Sequence, residues 1–300
     1  MENIKEKIIK LKKEKNAIIL AHFYAPSDAQ EIADFVGDSF YLAKVARETS
    51  CDIIVFCGVS FMGESAKILN PKKTVLMPDI SADCPMAHMA EKEKIEKLRK
   101  EYDDLAVVCY VNSTVELKSY SDICVTSSNA LNIVKKLPNK NIFFIPDKNL
   151  GRYVKENIKD KNIILNDGYC PIHDKISLNE VLYQKKLHPS ALVLAHPECS
   201  KEVSDIADFL GSTLDIIEFT KNDKNTEYII LTEEGVLFEL KKSSPEKQFY
   251  FVETTPVCKD MKLNTLENIL KSLETLENEV KLDDTTIKKA YGPLERMLNI

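Results

Sequence analysis

One short α/β passage recurs along this 300-residue chain at a fixed interval, and that repeat limits its fold more than any other feature. AIILAHFY begins at Ala17 and ALVLAHPE at Ala191; ADFVGDS begins at Ala33 and ADFLGST at Ala207, and both matches are 174 residues apart. A more diverged copy lies between them, with LAVVCYVNS from Leu105 and SDICVTS from Ser121. With His22, Tyr110 and His196 in register, Ser39, Ser127 and Thr213 each follow 17 residues later. Cys84, Cys170 and Cys258 follow 62, 60 and 62 residues later. A threefold arrangement that returns one cysteine per copy points to a central metal or cluster site.

Each copy opens on an apolar run rich in Ile, Val, Leu and Ala, the pattern of a buried parallel strand, and then alternates helical and strand-like stretches. The expected fold class is α/β: three homologous three-layer αβα domains with parallel sheets around a pseudo-threefold axis. The expected segments are 1–101, which carries Cys84, 102–187, which carries Cys170, and 188–300, which carries Cys258. In detail, Ser27 with Gln30 fits a capping box. Phe35–Val36 reads as an apolar turn, and SFMGESAKIL as a loop. Segments 91–103 and 177–187 read as bridging helices, and 264–280 and 283–298 as two closing helices.

Composition narrows the function. A net charge of −6 and no basic stripe with interleaved aromatics argue against a nucleic-acid partner. The lysine-rich stretch 5–15 reads as a solvated helix face. No run approaches the ~20 apolar residues of a membrane span, and the first apolar run is too short for a signal peptide. A cytoplasmic protein is expected. There, eight cysteines are not a disulfide framework, so some are core residues and some are ligands.

In open parallel sheets, ligands bind beyond the carboxyl ends of strands. Those ends carry His22 and Tyr24, Tyr110 and Asn112, His196 and Glu198; the i, i+2 spacing sends each pair out of one strand face. Ser39, Ser127 and Thr213 stand just before predicted helices, where they can cap the helix or help bind an anion. Cys51, Cys57, Cys109 and Cys124 lie in apolar stretches and read as core; Cys199 has no counterpart in the other copies. Cys84, Cys170 and Cys258 sit in loops near prolines and could hold zinc or an iron–sulfur cluster. The absence of a CxxC argues against a zinc ribbon. Three cysteines on a four-iron cluster leave one iron open as a Lewis acid. His88 and His173, three or four residues past cysteines, are each a candidate fourth ligand; for His173 a substrate role fits as well.

The motifs AHFYAPSDAQEIADFVGDSF, FCGVSFMGESAKIL, PDISADCPMA, YVNST, TSSNA, FIPDKNLGRY, AHPEC, GST and VCKDMKLNTLENIL span the chain. Together they resemble the quinolinate synthase A family of NAD biosynthesis. The resemblance implies a transferase that condenses iminosuccinate (2-iminoaspartate) with dihydroxyacetone phosphate to quinolinate, phosphate and two waters. It implies a 4Fe–4S cluster on Cys84, Cys170 and Cys258. It also implies that His22, Ser39, Tyr110, Asn112, Ser127, His173, His196, Glu198 and Thr213 contact substrate. Tyr24 and Glu198, with His196 and Tyr110, are the acid/base candidates; Phe61 and Met62 are candidate covers. A functional link to the enzyme supplying iminoaspartate follows. Two departures stand out: NDGYC where many members carry a tryptophan, and no C-terminal cysteine-rich motif. The alternatives are an enzyme of the diphthamide-synthesis type, a non-catalytic iron–sulfur sensor and a structural zinc protein.

Overall fold

The computed structural model describes residues 3–300, so Met1 and Glu2 of the first segment lie outside the described residues. Among the described residues, twelve parallel strands form three separate four-stranded sheets. The first holds β1 (Ala17–His22), β2 (Phe35–Gly37), β3 (Ile53–Cys57) and β4 (Thr74–Leu76). The second holds β5 (Leu105–Tyr110), β6 (Ile123–Val125), β7 (Asn141–Ile145) and β8 (Asn162–Leu165). The third holds β9 (Leu192–Ala195), β10 (Phe209–Leu210), β11 (Glu227–Leu231) and β12 (Gln248–Tyr250). Each sheet has the same order, with the first strand between the second and third: β2-β1-β3-β4, β6-β5-β7-β8 and β10-β9-β11-β12. Helices flank every sheet, so the three-layer αβα expectation holds.

Alternation along β1 shows how one strand serves two cores. Ile18 and Leu20 enter a large cluster shared with the second sheet, while Ala17, Ile19 and Ala21 pack beneath Ile8, Leu266, Ile269 and Leu273. His22 continues the Ile18–Leu20 face, so the period of two carries it toward the second copy rather than to the outer helices. One aspartate per copy fastens the first strand. Asp34, Asp122 and Asp208 accept the backbone N–H of Ile19, Val107 and Val193 at 2.7–2.8 Å. Their own N–H groups return to the same residues' carbonyls. This bracket explains the aspartate in ADFVGDS, SDICVTS and ADFLGST. The closing helices Leu266–Thr275 and Asp284–Asn299 follow the third sheet in sequence but pack elsewhere. The former lies on helix Ile4–Glu14, and the latter on helices Ser60–Leu69 and Val115–Ser119 and on β6.

Several local expectations fail. SFMGESAKIL is not a loop but a ten-residue helix, Ser60–Leu69, buried on nearly every side. Its mid-helix Gly63 disguised it; a Cβ there would collide with Met77, so close packing requires the glycine. Ser27 and Gln30 form no capping box. Pro26 precedes the helix without a side-chain cap, and Gln30 Nε2 donates instead to the carbonyls of Phe23, Ala25 and Gly235. Phe35–Val36 is strand rather than turn. Ser39 and Thr213 are first helical residues rather than caps. Asp38 and Ser212 cap those helices, and Ser127 lies in a turn ahead of helix Ala130–Lys136. Capping therefore does not account for these three hydroxyl residues.

Candidate active site

Residues at the carboxyl ends of β1, β5 and β9 meet around one cavity of about 120 Å³. The first copy contributes His22, Tyr24, Ser39 and Cys84, the second Tyr110, Asn112, Ser127, Cys170 and His173, and the third His196, Glu198, Thr213 and Cys258. Every residue singled out from the repeat is in this wall, together with Phe61 and Met62. His88 is not. Its side chain is more than half exposed and its Nε2 lies 2.8 Å from Asp83, so it is no fourth ligand. Cys57, Cys109 and Cys124 are core residues as expected, Cys51 is half-buried at the edge, and Cys199 is buried with its thiol against Leu231 O.

The histidines at the strand ends repeat one local design. Tyr24 N–H donates to His22 Nδ1 at 3.2 Å and Glu198 N–H donates to His196 Nδ1 at 3.3 Å. Because Nδ1 accepts, the ring proton of each sits on Nε2. Burial lowers both rings to a pKa of about 3 despite the nearby Glu198. They are neutral donors at physiological pH. Burial alone would raise the Glu198 carboxyl, but His173, His196 and Tyr110 together outweigh it and hold the group below the ordinary carboxylate range. His173 Nδ1 stands 2.8 Å from Glu198 Oε2, while Oε1 has no hydrogen-bond partner. An unpartnered, buried carboxylate oxygen in a cavity wall is a place prepared for a ligand.

Tyr24 bridges copies. Its hydroxyl lies 2.6 Å from Thr213 Oγ1 and 2.8 Å from Thr232 Oγ1. Burial and Glu198 push the phenols of Tyr24 and Tyr110 well above the ordinary value, so both keep their protons.

The three cysteines line the same cavity and none is in a disulfide. Burial pushes Cys84 up to about 12 and Cys258 to about 11, and raises Cys170 strongly. A bound cation would reverse this by stabilising the thiolates. Among the described residues, the one group whose donor atoms lie within 4.8 Å of one another is Cys170, His173 and Glu198. The three cysteine sulfurs form no such group. A single zinc, with Zn–S of about 2.3 Å, would need sulfurs about 3.8 Å apart. The three sulfurs are therefore not set for a single zinc, and three free cysteines in one cavity wall are compatible with an iron–sulfur cluster.

Two buried carboxylates set the ligand loops. Asp147 Oδ2 accepts the Cys170 N–H at 3.1 Å and its Oδ1 accepts from Leu150 at 2.6 Å. Glu233 Oε1 accepts the Cys258 N–H at 3.0 Å and its Oε2 accepts from Gly235 at 2.7 Å. Asp147 and Glu233 occupy one repeat position, which is Val59 in the first copy. Motif reading passed over them, and over Asp38, Thr126 and Asp260 in the cavity wall. The repeat held the signal: Asp38, Thr126 and Ser212 immediately precede the three hydroxyl residues already in register.

The family model for the quinolinate synthetase A protein matches residues 6–299. The quinolinate synthase of Fusobacterium nucleatum subsp. nucleatum is 53% identical over 99% of each chain. That of Clostridium perfringens (strain SM101 / Type A) is 51% identical over 98% of each. That of Clostridioides difficile (strain 630) is 51% identical over 97% of this chain and 95% of its own length. The chain belongs to the quinolinate synthetase A protein family.

Proposed function

We infer that this chain is a quinolinate synthase. It joins iminosuccinate to dihydroxyacetone phosphate and releases quinolinate, phosphate and two waters. The observation that carries the reading is the convergence of one cysteine per copy on a cavity whose remaining polar residues differ from copy to copy. Cys84, Cys170 and Cys258 would hold a 4Fe–4S cluster with one iron open. When bound, it supplies a Lewis acid for departure of a substrate hydroxyl.

The protein's own groups do the rest. Among the described residues lining the cavity there is no lysine or arginine. Carboxylates and phosphate are therefore received by hydroxyls, by neutral histidine N–H groups and by helix N-termini. Helices Ser39–Glu48 and Thr213–Asn222 both start at the cavity wall. Ser39, Ser127 and Thr213 belong to this anion-holding set, with His22, His196 and Asn112. The reaction forms one C–C and one C–N bond, removes protons from carbon and nitrogen, and delivers protons to departing oxygens. Glu198, ionised and with a free oxygen, is the base. Tyr24 and Tyr110, which retain their protons, are the acids. Phe61 and Met62, both buried in the wall, keep water from the reacting centre. The free thiols and the absence, among the described residues, of a helix able to cross a membrane support a site of action in the cytoplasm.

A sensor without turnover needs no polar cavity, and the family match sets aside the diphthamide-type reading. A single zinc on Cys170, His173 and Glu198 is the competing use of these donors. Anaerobic purification followed by metal analysis and incubation with both substrates separates the two. A brown, iron-containing protein that forms quinolinate supports the reading. A colourless zinc protein, or an iron protein that forms none under reducing conditions, overturns it.

A further inference from the structure

The motif FIPDKNLGRY holds two polar residues that do not line the cavity, Asn149 and Arg152. Both lie on helix Lys148–Asn157 of the second copy, three residues apart and so on one face. That face meets the turn that carries Glu198 away from β9 in the third copy. Asn149 Nδ2 donates to the Glu198 carbonyl at 3.0 Å. Arg152 Nη2 donates to the next carbonyl, that of Cys199, at 3.2 Å, and reaches Ser204 Oγ at the same distance. Two consecutive carbonyls past a strand end have no ladder to join, and side chains of another copy supply their donors.

The same Asn149 amide nitrogen also donates to Asp174 Oδ1 at 3.2 Å. Asp174 follows His173, whose Nδ1 stands 2.8 Å from the Glu198 carboxylate. One amide thus holds the main chain of Glu198 and the residue beside its histidine partner, which fixes the two sides of that contact relative to each other. A carbonyl and a carboxylate can only accept, so the NH₂ end of Asn149 must face them; the side chain is buried and has one orientation open to it. The equivalent repeat positions are Phe61 and Gly235. In the first copy this position gives a side chain to the cavity wall, and in the third it gives none. Only the copy that abuts the Glu198 turn carries a donor there.

We propose that Asn149, with Arg152 beside it, is a positioning residue of the reaction: it fixes the turn that aims the Glu198 carboxylate and touches no substrate. The inference rests on the quinolinate synthase reading and on Glu198 as its base. The test places Asn149→Leu, which keeps the size and loses both donors, in the wild type and in Glu198→Gln. Turnover per iron, KM and iron content are measured on anaerobically prepared protein. Asn149→Leu alone should lose about tenfold or more in kcat, since a ~1 Å misplacement can cost about 10²-fold, with KM and iron content near wild type. In Glu198→Gln, where no base is left to aim, the same substitution should cost less than about threefold. Arg152→Lys, which keeps a donor, should retain most of the turnover that Arg152→Met loses. If Asn149→Leu does not fold, Asn149→Ala replaces it in both backgrounds. Wild-type turnover without the amide, an equal loss with and without Glu198, or a lysine at 152 as slow as methionine overturns the inference. A wild-type protein that makes no quinolinate, or a Glu198→Gln variant with full turnover, overturns the reading beneath it, and the inference with it.

Discussion

Replacing Glu198 by glutamine separates its chemistry from its packing. The side chain is 3% exposed, with one oxygen against His173 at 2.8 Å and the other without a partner. Glutamine has the same length. It can turn its amide oxygen to His173 and leave its NH₂ where the unpartnered oxygen stood. One charge-assisted hydrogen bond becomes a neutral one, a change of about 1 kcal/mol in stability, and the cysteines are untouched. The ionisable group, however, is gone. A positioned acid or base contributes roughly 10²–10⁴-fold to rate, which is about 2.7–5.4 kcal/mol at 1.36 kcal/mol per tenfold. Turnover in Glu198→Gln should fall by that factor while iron content and melting temperature stay close to wild type. The assay is quinolinate formation under anaerobic conditions, with iron quantified in the same sample. Near-wild-type turnover at full iron content would remove Glu198 from the base role. Loss of iron together with activity would show that the carboxylate acts on the cluster loops instead.

Three other outcomes are expected. Cys84→Ser, Cys170→Ser and Cys258→Ser should each fail to hold a stable cluster, whereas Cys57→Ser should retain iron; full iron in any of the first three contradicts the ligand assignment. Asp147→Asn and Glu233→Gln leave one acceptor oxygen where two backbone N–H groups are bonded. They should lose iron to a chelator about tenfold faster or more, the usual scale for groups behind metal ligands; unchanged loss rates would refute this. His22 and His196, each held at about 3, refuse protons that the unfolded chain takes up below its ordinary histidine value. Stability is therefore full above about pH 6.5 and falls as pH drops toward 3, by up to about 1.4 kcal/mol per pH unit for each ring. Urea unfolding near pH 7 and near pH 5.5 should show this slope, and a His196→Gln variant with an equally steep slope would count against it.

The repeat made the frame and most of the cavity wall legible, because register transfers information between copies. His22 alone is a histidine ending a strand; His22, Tyr110 and His196 together mark three strand ends facing one place. The same logic separated Cys84, Cys170 and Cys258 from five other cysteines. It failed where side chains were committed to contacts across copies. Gln30 looked like a capping partner but is used by three carbonyls, one of them from the third copy. Gly63 made SFMGESAKIL look like a loop, although the glycine is packed against Met77 and, from the third segment, Val280. Asp147 and Glu233 escaped notice because the same repeat position is Val59 in the first copy. Motif comparison favours positions that match, whereas an asymmetric reaction needs positions that do not.

On the proposed function, the threefold frame gathers three cysteines around one cluster whose remaining iron would face the substrate residues. Mössbauer spectroscopy of protein reconstituted with isotopically enriched iron tests it most directly. The expected spectrum is that of a four-iron cluster in which one iron is distinct from the other three, and only that iron changes when a dicarboxylate substrate analogue is added. Four equivalent irons that ignore the analogue, or no cluster in protein that still forms quinolinate, would contradict it.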